Sequence, residues 1–217
     1  MSSAFGIERL LEAYRAGIFP MAERFDDPTI YLVDPEERGI LPLDHFHIPR
    51  RLKKTLRKTP YHITFDQAFE TIIKACASKS DTRLNTWINA GLIGLYSELH
   101  HAGYAHSVEC WQDGQLVGGL YGVSLGGAFF GESMFSKQAD ASKIALVYLV
   151  GCLKLGGYSL LDAQFTNPHL EQFGLIEIPR AAFKERLAIA LEQKGFFYPA
   201  SVPSNGAELI HLITQTS

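Results

Sequence analysis

Two apolar runs, 116–125 and 128–134, flank Gly126-Gly127. A glycine pair between apolar runs is a hairpin signal, so this stretch predicts strand, tight turn, strand. After a polar loop, residues 141–155 are apolar on nearly every side and predict a buried helix. The hairpin also carries Gly118, Gly119, Gly122 and Gly131. Glycine inside a strand usually marks a bulge or a close backbone approach. Glu132 interrupts the second apolar run. A carboxylate there is costly unless it has a partner or a task, and taken alone it fits a simple pair to a nearby cation or amide.

The rest of the chain follows the same reading. Helical spacing predicts helices over 6–15 (Leu10, Leu11 and Tyr14 inward), 67–77 (Phe69, Ile72, Ile73 and Cys76) and 89–101 (Leu92, Leu95, Tyr96 and Leu99). Pro49 predicts another helix start as a first-turn proline. Short strands are expected at 30–33, 62–65, 107–111 and 158–165. A short helix at 169–173, a turn at Pro179 and a helix over 181–193 come next, and the tail from Gly195 shows no clear period. Segments 17–21 and 78–85 read as loops, the second delivering Trp87. The order predicts an α/β (α+β) protein with a mixed sheet flanked by helices, divided into a small N-terminal subdomain, 1–37, and a larger domain, 38–217.

Composition narrows the class. The 217 residues are 47% hydrophobic and 20% charged, as in an ordinary globular protein. No apolar run reaches membrane-spanning length and the N-terminus does not read as a signal peptide, so no membrane partner is expected. Cys76, Cys110 and Cys152 have apolar surroundings and no metal spacing; buried thiols in a reducing, cytoplasmic setting are expected, with no metal and no cofactor. A net charge of −3 argues against a bulk nucleic-acid binder but leaves room for a local basic patch. That patch is Arg50, Arg51, Lys53, Lys54, Arg57 and Lys58, six cations in nine residues without a carboxylate. Such a run repels itself unless it meets phosphates; by itself it fits a solvated helix face equally well.

The element order resembles the GNAT acyltransferases, in which a central strand splays from its neighbour and opens a cleft. In the acetyl-coenzyme A enzymes of that superfamily a glycine-containing loop at a helix N-terminus cradles the pyrophosphate. The corresponding stretch here, SKQADAS at 136–142, has no glycine, which counts against an acyl-CoA donor.

A closer resemblance rests on motifs that occur together and in order: GIFPM (17–21), TWI (86–88), YAHSVE (104–109), LVGGLYGV (116–123), GESMFS (131–136), ASK (141–143), LLDAQF (160–165) and EIPR (177–180). The chain resembles the leucyl/phenylalanyl-tRNA–protein transferase family over about 7–180. The resemblance implies transfer of leucine or phenylalanine from aminoacyl-tRNA to proteins whose N-terminal residue is Lys or Arg, which marks them for degradation. It implies a relay in which Gln164 faces the attacking amine and Asp162 stands behind it, with Glu132 orienting the amine or the acceptor's basic side chain and Asn167 bonding the substrate. It implies an apolar pocket from Leu120, Phe129, Met134, Leu146, Leu149, Leu153 and Leu161. The basic run would grip the acceptor-stem backbone. Where some members stack the terminal adenine between two tryptophans, this chain keeps Trp87 but has Met21, and a downstream tryptophan pair is Leu32-Val33; a one-sided adenine contact is expected. A monomer is expected. An acetyl-CoA-dependent N-acetyltransferase and a non-catalytic tRNA or N-degron binding module are the competing readings.

Elementary chemistry agrees with the transfer. An aminoacyl ester is already activated, so no covalent enzyme intermediate is required; the amine must be uncharged and held against the carbonyl. An N-terminal amine titrates near about 8, so a modest proton acceptor is enough. Asp162 and Gln164, at i and i+2 of one strand, would share a face.

Overall fold

The computed structural model describes residues 6–58, 60–78, 86–198 and 202–215. Among these, seven strands form one mixed sheet and two more form a small antiparallel ribbon. The ribbon pairs β1 (Phe19–Met21) with β2 (Tyr31–Val33), so the segment expected as a loop after the first helix is partly a strand. Most of the expected loop at 78–85 lies outside the described residues.

The large sheet contains β3 (Glu37–Ile40), β4 (His62–Phe65), β5 (Ala105–Gln112), β6 (Gln115–Leu125), β7 (Ala128–Ser136), β8 (Leu160–Gln164) and β9 (Ile176–Pro179). Its spatial order is β4-β5-β6-β7-β8-β3-β9. All neighbours are antiparallel except β7 and β8. That parallel pair needs a crossover, and the buried helix α5 (Ala141–Leu155) supplies it. Strands β3 and β9 were not expected from the sequence. Each is four residues long, with charges in ERGI and IEIP and a proline ending the second, so neither shows a strand period.

Helices cover both faces. Helix α5 packs with α2 (Arg50–Leu56) and the C-terminal α8 (Gly206–Gln215) over one core cluster. Helices α1 (Ile7–Arg15), α3 (Phe69–Ala77), α4 (Ala90–His101) and α7 (Arg180–Leu191) build the second cluster. Asn89 caps α4 by accepting from the Leu92 amide at 2.8 Å. Pro49 lies one residue before the first turn of α2, at its N-cap, where extended backbone suits the ring. Helix α8 was hidden because the tail's apolar positions begin only after a polar stretch containing Pro203, Ser204 and Asn205.

Candidate active site

Strands β7 and β8 pair only at Ala128↔Leu160, Phe129↔Leu161 and Phe130↔Asp162. Beyond that point they part, and a cavity of about 900 Å³ opens between them. Both strands carry a bulge where they separate. In the β6–β7 register, Tyr121 faces Ser133 and Gly122 faces Gly131, so Glu132 is the extra residue. A bulge re-aims the side chain it ejects. Gly122 is required there, because a Cβ would lie 2.3 Å from the Phe130 carbonyl oxygen. In the β3–β8 register, Gly39 faces Gln164 and Ile40 faces Asp162, so Ala163 is extra. Gln164 takes a left-handed φ of 65°, and Gly39 lets the strands close up: a Cβ would sit 2.9 Å from the Phe165 carbonyl.

Glu132 is buried and receives three neutral donors. Tyr14 Oη lies 2.7 Å from Oε1, Gln164 Nε2 lies 2.9 Å from the same oxygen, and Tyr96 Oη lies 2.8 Å from Oε2. The tyrosines come from α1 and α4 on the face opposite α5. Burial pushes the Glu132 carboxyl up from 4.5 to about 7, with the Asp162 charge adding to the rise and the three donors opposing it.

Asp162 is 0% exposed and meets a cation instead. Arg38 on β3 grips it with both arms, Nε to Oδ1 at 2.9 Å and Nη2 to Oδ2 at 2.6 Å. The guanidinium is itself sandwiched between Phe19 and Phe183, 4.5 and 4.4 Å from the ring centroids, and donates to the Gly17 carbonyl at 3.0 Å. Asp162 Oδ1 also accepts the Gln164 backbone amide at 2.9 Å. Asp162 therefore holds Gln164 by its backbone, while the side-chain amide of Gln164 is oriented by Glu132.

Of the seven apolar residues proposed for a side-chain pocket, Leu120, Met134, Leu146, Leu149 and Leu161 line the cavity, joined by Leu41 and Leu170. Phe129 and Leu153 are fully buried in the neighbouring core and do not line it. Glu132, Asp162 and Asn167 are on its wall. The Asn167 oxygen is occupied in capping the short helix α6 (Pro168–Glu171), accepting from Leu170 N at 2.9 Å. His169 sits at the rim, its pKa lowered by burial and by nearby Lys143. Met21 and Trp87 do not line the cavity; the amide of Ala22, the residue after Met21, donates to the Trp87 carbonyl at 3.1 Å and so brings the two segments together. On α2 and the turn that follows it, Leu52 and Leu56 are buried, Lys53 is half-buried, and Arg50, Arg51, Lys54, Arg57 and Lys58 face solvent. None of the six cations has a salt-bridge partner among the described residues.

Sequence reasoning missed Arg38, Tyr14 and Tyr96 as site residues. Arg38 sat in a charged run, and both tyrosines fell on apolar helical stripes and read as core. The signal that pointed to them was Glu132, whose burial demanded donors.

An apolar cleft with a buried carboxylate on its wall, and an amide bonded to that carboxylate though not itself lining the cavity, is an arrangement that suits acyl transfer. Comparison with known proteins narrows this. The family described as leucyl/phenylalanyl-tRNA protein transferase matches residues 40–188, and its N-terminal domain matches residues 4–36. A leucyl/phenylalanyl-tRNA–protein transferase of Hyphomonas neptunium is 62% identical, covering 93% of this chain and 78% of its own length. Those of Maricaulis maris and Caulobacter vibrioides are 57% and 52% identical and align over at least 98% of each chain. The chain belongs to the leucyl/phenylalanyl-tRNA–protein transferase family.

Proposed function

We propose that this enzyme transfers leucine or phenylalanine from aminoacyl-tRNA to the N-terminus of acceptor proteins that begin with Lys or Arg, and that it acts in the cytoplasm. The observation that carries the reading is the cleft between β7 and β8. Its volume of about 900 Å³ is in the range of small-molecule sites, and one wall is leucine and methionine while the other holds Glu132 and Asp162, with Gln164 bonded to Glu132 but not itself lining the cavity. The apolar wall suits an aliphatic or aromatic aminoacyl side chain. The carboxylate wall suits a cationic acceptor. Met134, half-buried and flexible, is the wall residue best able to adapt to both leucine and phenylalanine.

In this reading Gln164 positions the attacking amine, and Asp162, clamped by Arg38, fixes the backbone from which Gln164 projects. The exposed cations of α2 hold the tRNA backbone, and Trp87 with Met21 meets the terminal adenosine. An acyl-CoA donor lacks support, since the loop before α5 has no glycine to admit a pyrophosphate.

The decisive experiment is incubation with leucyl-tRNA and a peptide beginning with Arg. A product heavier by one leucine residue is expected; unchanged peptide with the charged tRNA bound but not consumed would support a binding module instead. Neutralising Arg50, Arg51, Lys54 and Arg57 together should weaken use of aminoacyl-tRNA and flatten its salt dependence, while an aminoacyl-adenosine donor is used almost as before.

A further inference from the structure

The carboxyl group of Glu132 and the hydroxyls of Tyr14 and Tyr96 form a closed triangle. The Tyr14–Glu132 contact is 2.7 Å, Tyr96–Glu132 is 2.8 Å, and the two hydroxyl oxygens are themselves 2.7 Å apart. Each contact at such a distance is a hydrogen bond and needs one proton between its oxygens. A phenol supplies one proton, and burial holds both tyrosines well above the ordinary phenol value of 10, so each keeps its own. With Glu132 ionised, two protons must serve three contacts. The two hydroxyls both donate to the carboxylate, and lone pairs meet between the tyrosines.

One added proton resolves the triangle. Placed on Oε2, it is donated to Tyr96, Tyr96 donates to Tyr14, and Tyr14 donates to Oε1, which also accepts from Gln164 Nε2. Every oxygen is then satisfied, without any movement of heavy atoms. The other groups facing this cluster do not supply that proton. Asp162 is already paired to Arg38, and Gln164 does not titrate. Tyr121, whose ring packs edge-on against Tyr96 at 5.3 Å, has its hydroxyl buried without a hydrogen-bond partner among the described residues and holds its own proton, burial raising it well above the ordinary phenol value.

We propose that Glu132 is the proton acceptor of the transfer reaction and that Tyr14 and Tyr96 are positioning residues that close a proton-holding ring around it. The inference rests on the transferase reading above. In the reaction, the neutral amine nitrogen attacks the ester carbonyl carbon and the N–C bond forms. The nitrogen gives its surplus proton to Glu132, which lines the cleft. The C–O bond to the ribose then breaks, the departing oxygen takes the proton back, and Glu132 returns to its carboxylate. Net protonation is unchanged. The raised Glu132 carboxyl, near 7, suits both directions of this exchange at neutral pH.

The test begins with the free wild-type enzyme, followed by infrared titration of its carboxyl C=O band. A protonated-carboxyl band that disappears with a midpoint near pH 7 and is missing from Glu132→Gln is expected. In Tyr96→Phe the midpoint should fall, because the protonated acid loses the acceptor that closes the ring and the ionised form loses its lone-pair conflict. A rise would mean that the phenols serve only as donors to the carboxylate and would overturn the ring. In single-turnover transfer from leucyl-tRNA, Glu132→Gln should be slower by about 10²–10⁴-fold while leucyl-tRNA binding is retained. Transfer by the wild type without a carboxyl titrating near neutrality would overturn the ring alone. Full-rate transfer by Glu132→Gln would overturn its role as acceptor even if the band titrates. A wild type that titrates as expected but transfers nothing would overturn the transferase reading and, with it, the ring's place in catalysis.

Discussion

Asp162 and Glu132 lie on adjacent strands, and both are buried carboxylates, yet they are held in opposite ways. Asp162 faces a guanidinium that is itself locked between two aromatic rings. Glu132 faces two phenols and an amide, all neutral. A matched charge makes a carboxylate part of the scaffold, since removing either partner strands the other in a low dielectric. Neutral donors leave the carboxylate free to change its protonation near neutral pH. The site thus divides one residue chemistry between two tasks, with the difference set by which strand comes alongside. Strand β3 brings Arg38 to Asp162, and among the described residues no cation forms a hydrogen bond or ion pair with Glu132.

The largest effect should come from breaking the fixed member. Arg38→Ala leaves Asp162 buried and unpaired, and should cost about 3–5 kcal/mol in urea unfolding. The double variant Arg38→Met with Asp162→Leu should recover much of that stability but no transfer activity. A single-variant cost below about 1 kcal/mol would mean that Asp162 is not clamped in solution.

Removing the titration of the other member should have a smaller effect that depends on pH. The folded form holds the Glu132 proton up to about 7, against 4.5 for a free side chain, so it binds protons more tightly than the unfolded chain. The resulting stability is fully present below pH 4.5 and is lost as pH rises through 7. At ~1.4 kcal/mol per pH unit, this loss is on the order of 3 kcal/mol. Glu132→Gln should lack it, so its stability relative to wild type should improve from acid to alkaline pH in chemical unfolding. A constant difference across pH would place Glu132 with Asp162 rather than opposite it.

The smallest effect should come from trimming one donor. Tyr14→Phe removes a hydroxyl but keeps the ring that packs on Phe130, 4.8 Å away. A loss of about 1–2 kcal/mol at neutral pH is expected, with Tyr96→Phe similar. A much larger loss would show that the phenols stabilise the fold more than they serve the carboxylate.

Much of the scaffold was legible in the sequence. The hairpin of β6 and β7 announced itself through Gly126-Gly127, and helix α5 matched its expected bounds because its apolar run is long and uninterrupted. The glycines of the hairpin also marked the bulge that ejects Glu132. What the sequence hid was partnership across long separations. Arg38 and Asp162 are 124 residues apart, and Tyr14 and Glu132 are 118 apart. Local periodicity carries no information about such pairs, and a tyrosine on an apolar stripe looks the same whether its hydroxyl meets a carboxylate or water. The short strands β3 and β9 were invisible for the same reason, since their strand character comes from their neighbours.

The position of β3 also bears on how the molecule is made. An early strand is slotted between two late ones, β8 and β9, so the sheet cannot be completed until residues up to 179 have left the ribosome. Until β8 emerges at 160–164 Arg38 has no carboxylate to meet, and until β9 follows β3 keeps an unpaired edge. Pairings of such long sequence separation form late and slowly. The nascent chain therefore passes most of its synthesis unable to assemble the cleft, and a translation product truncated before β9 would expose a sheet edge open to aggregation rather than a partly active enzyme.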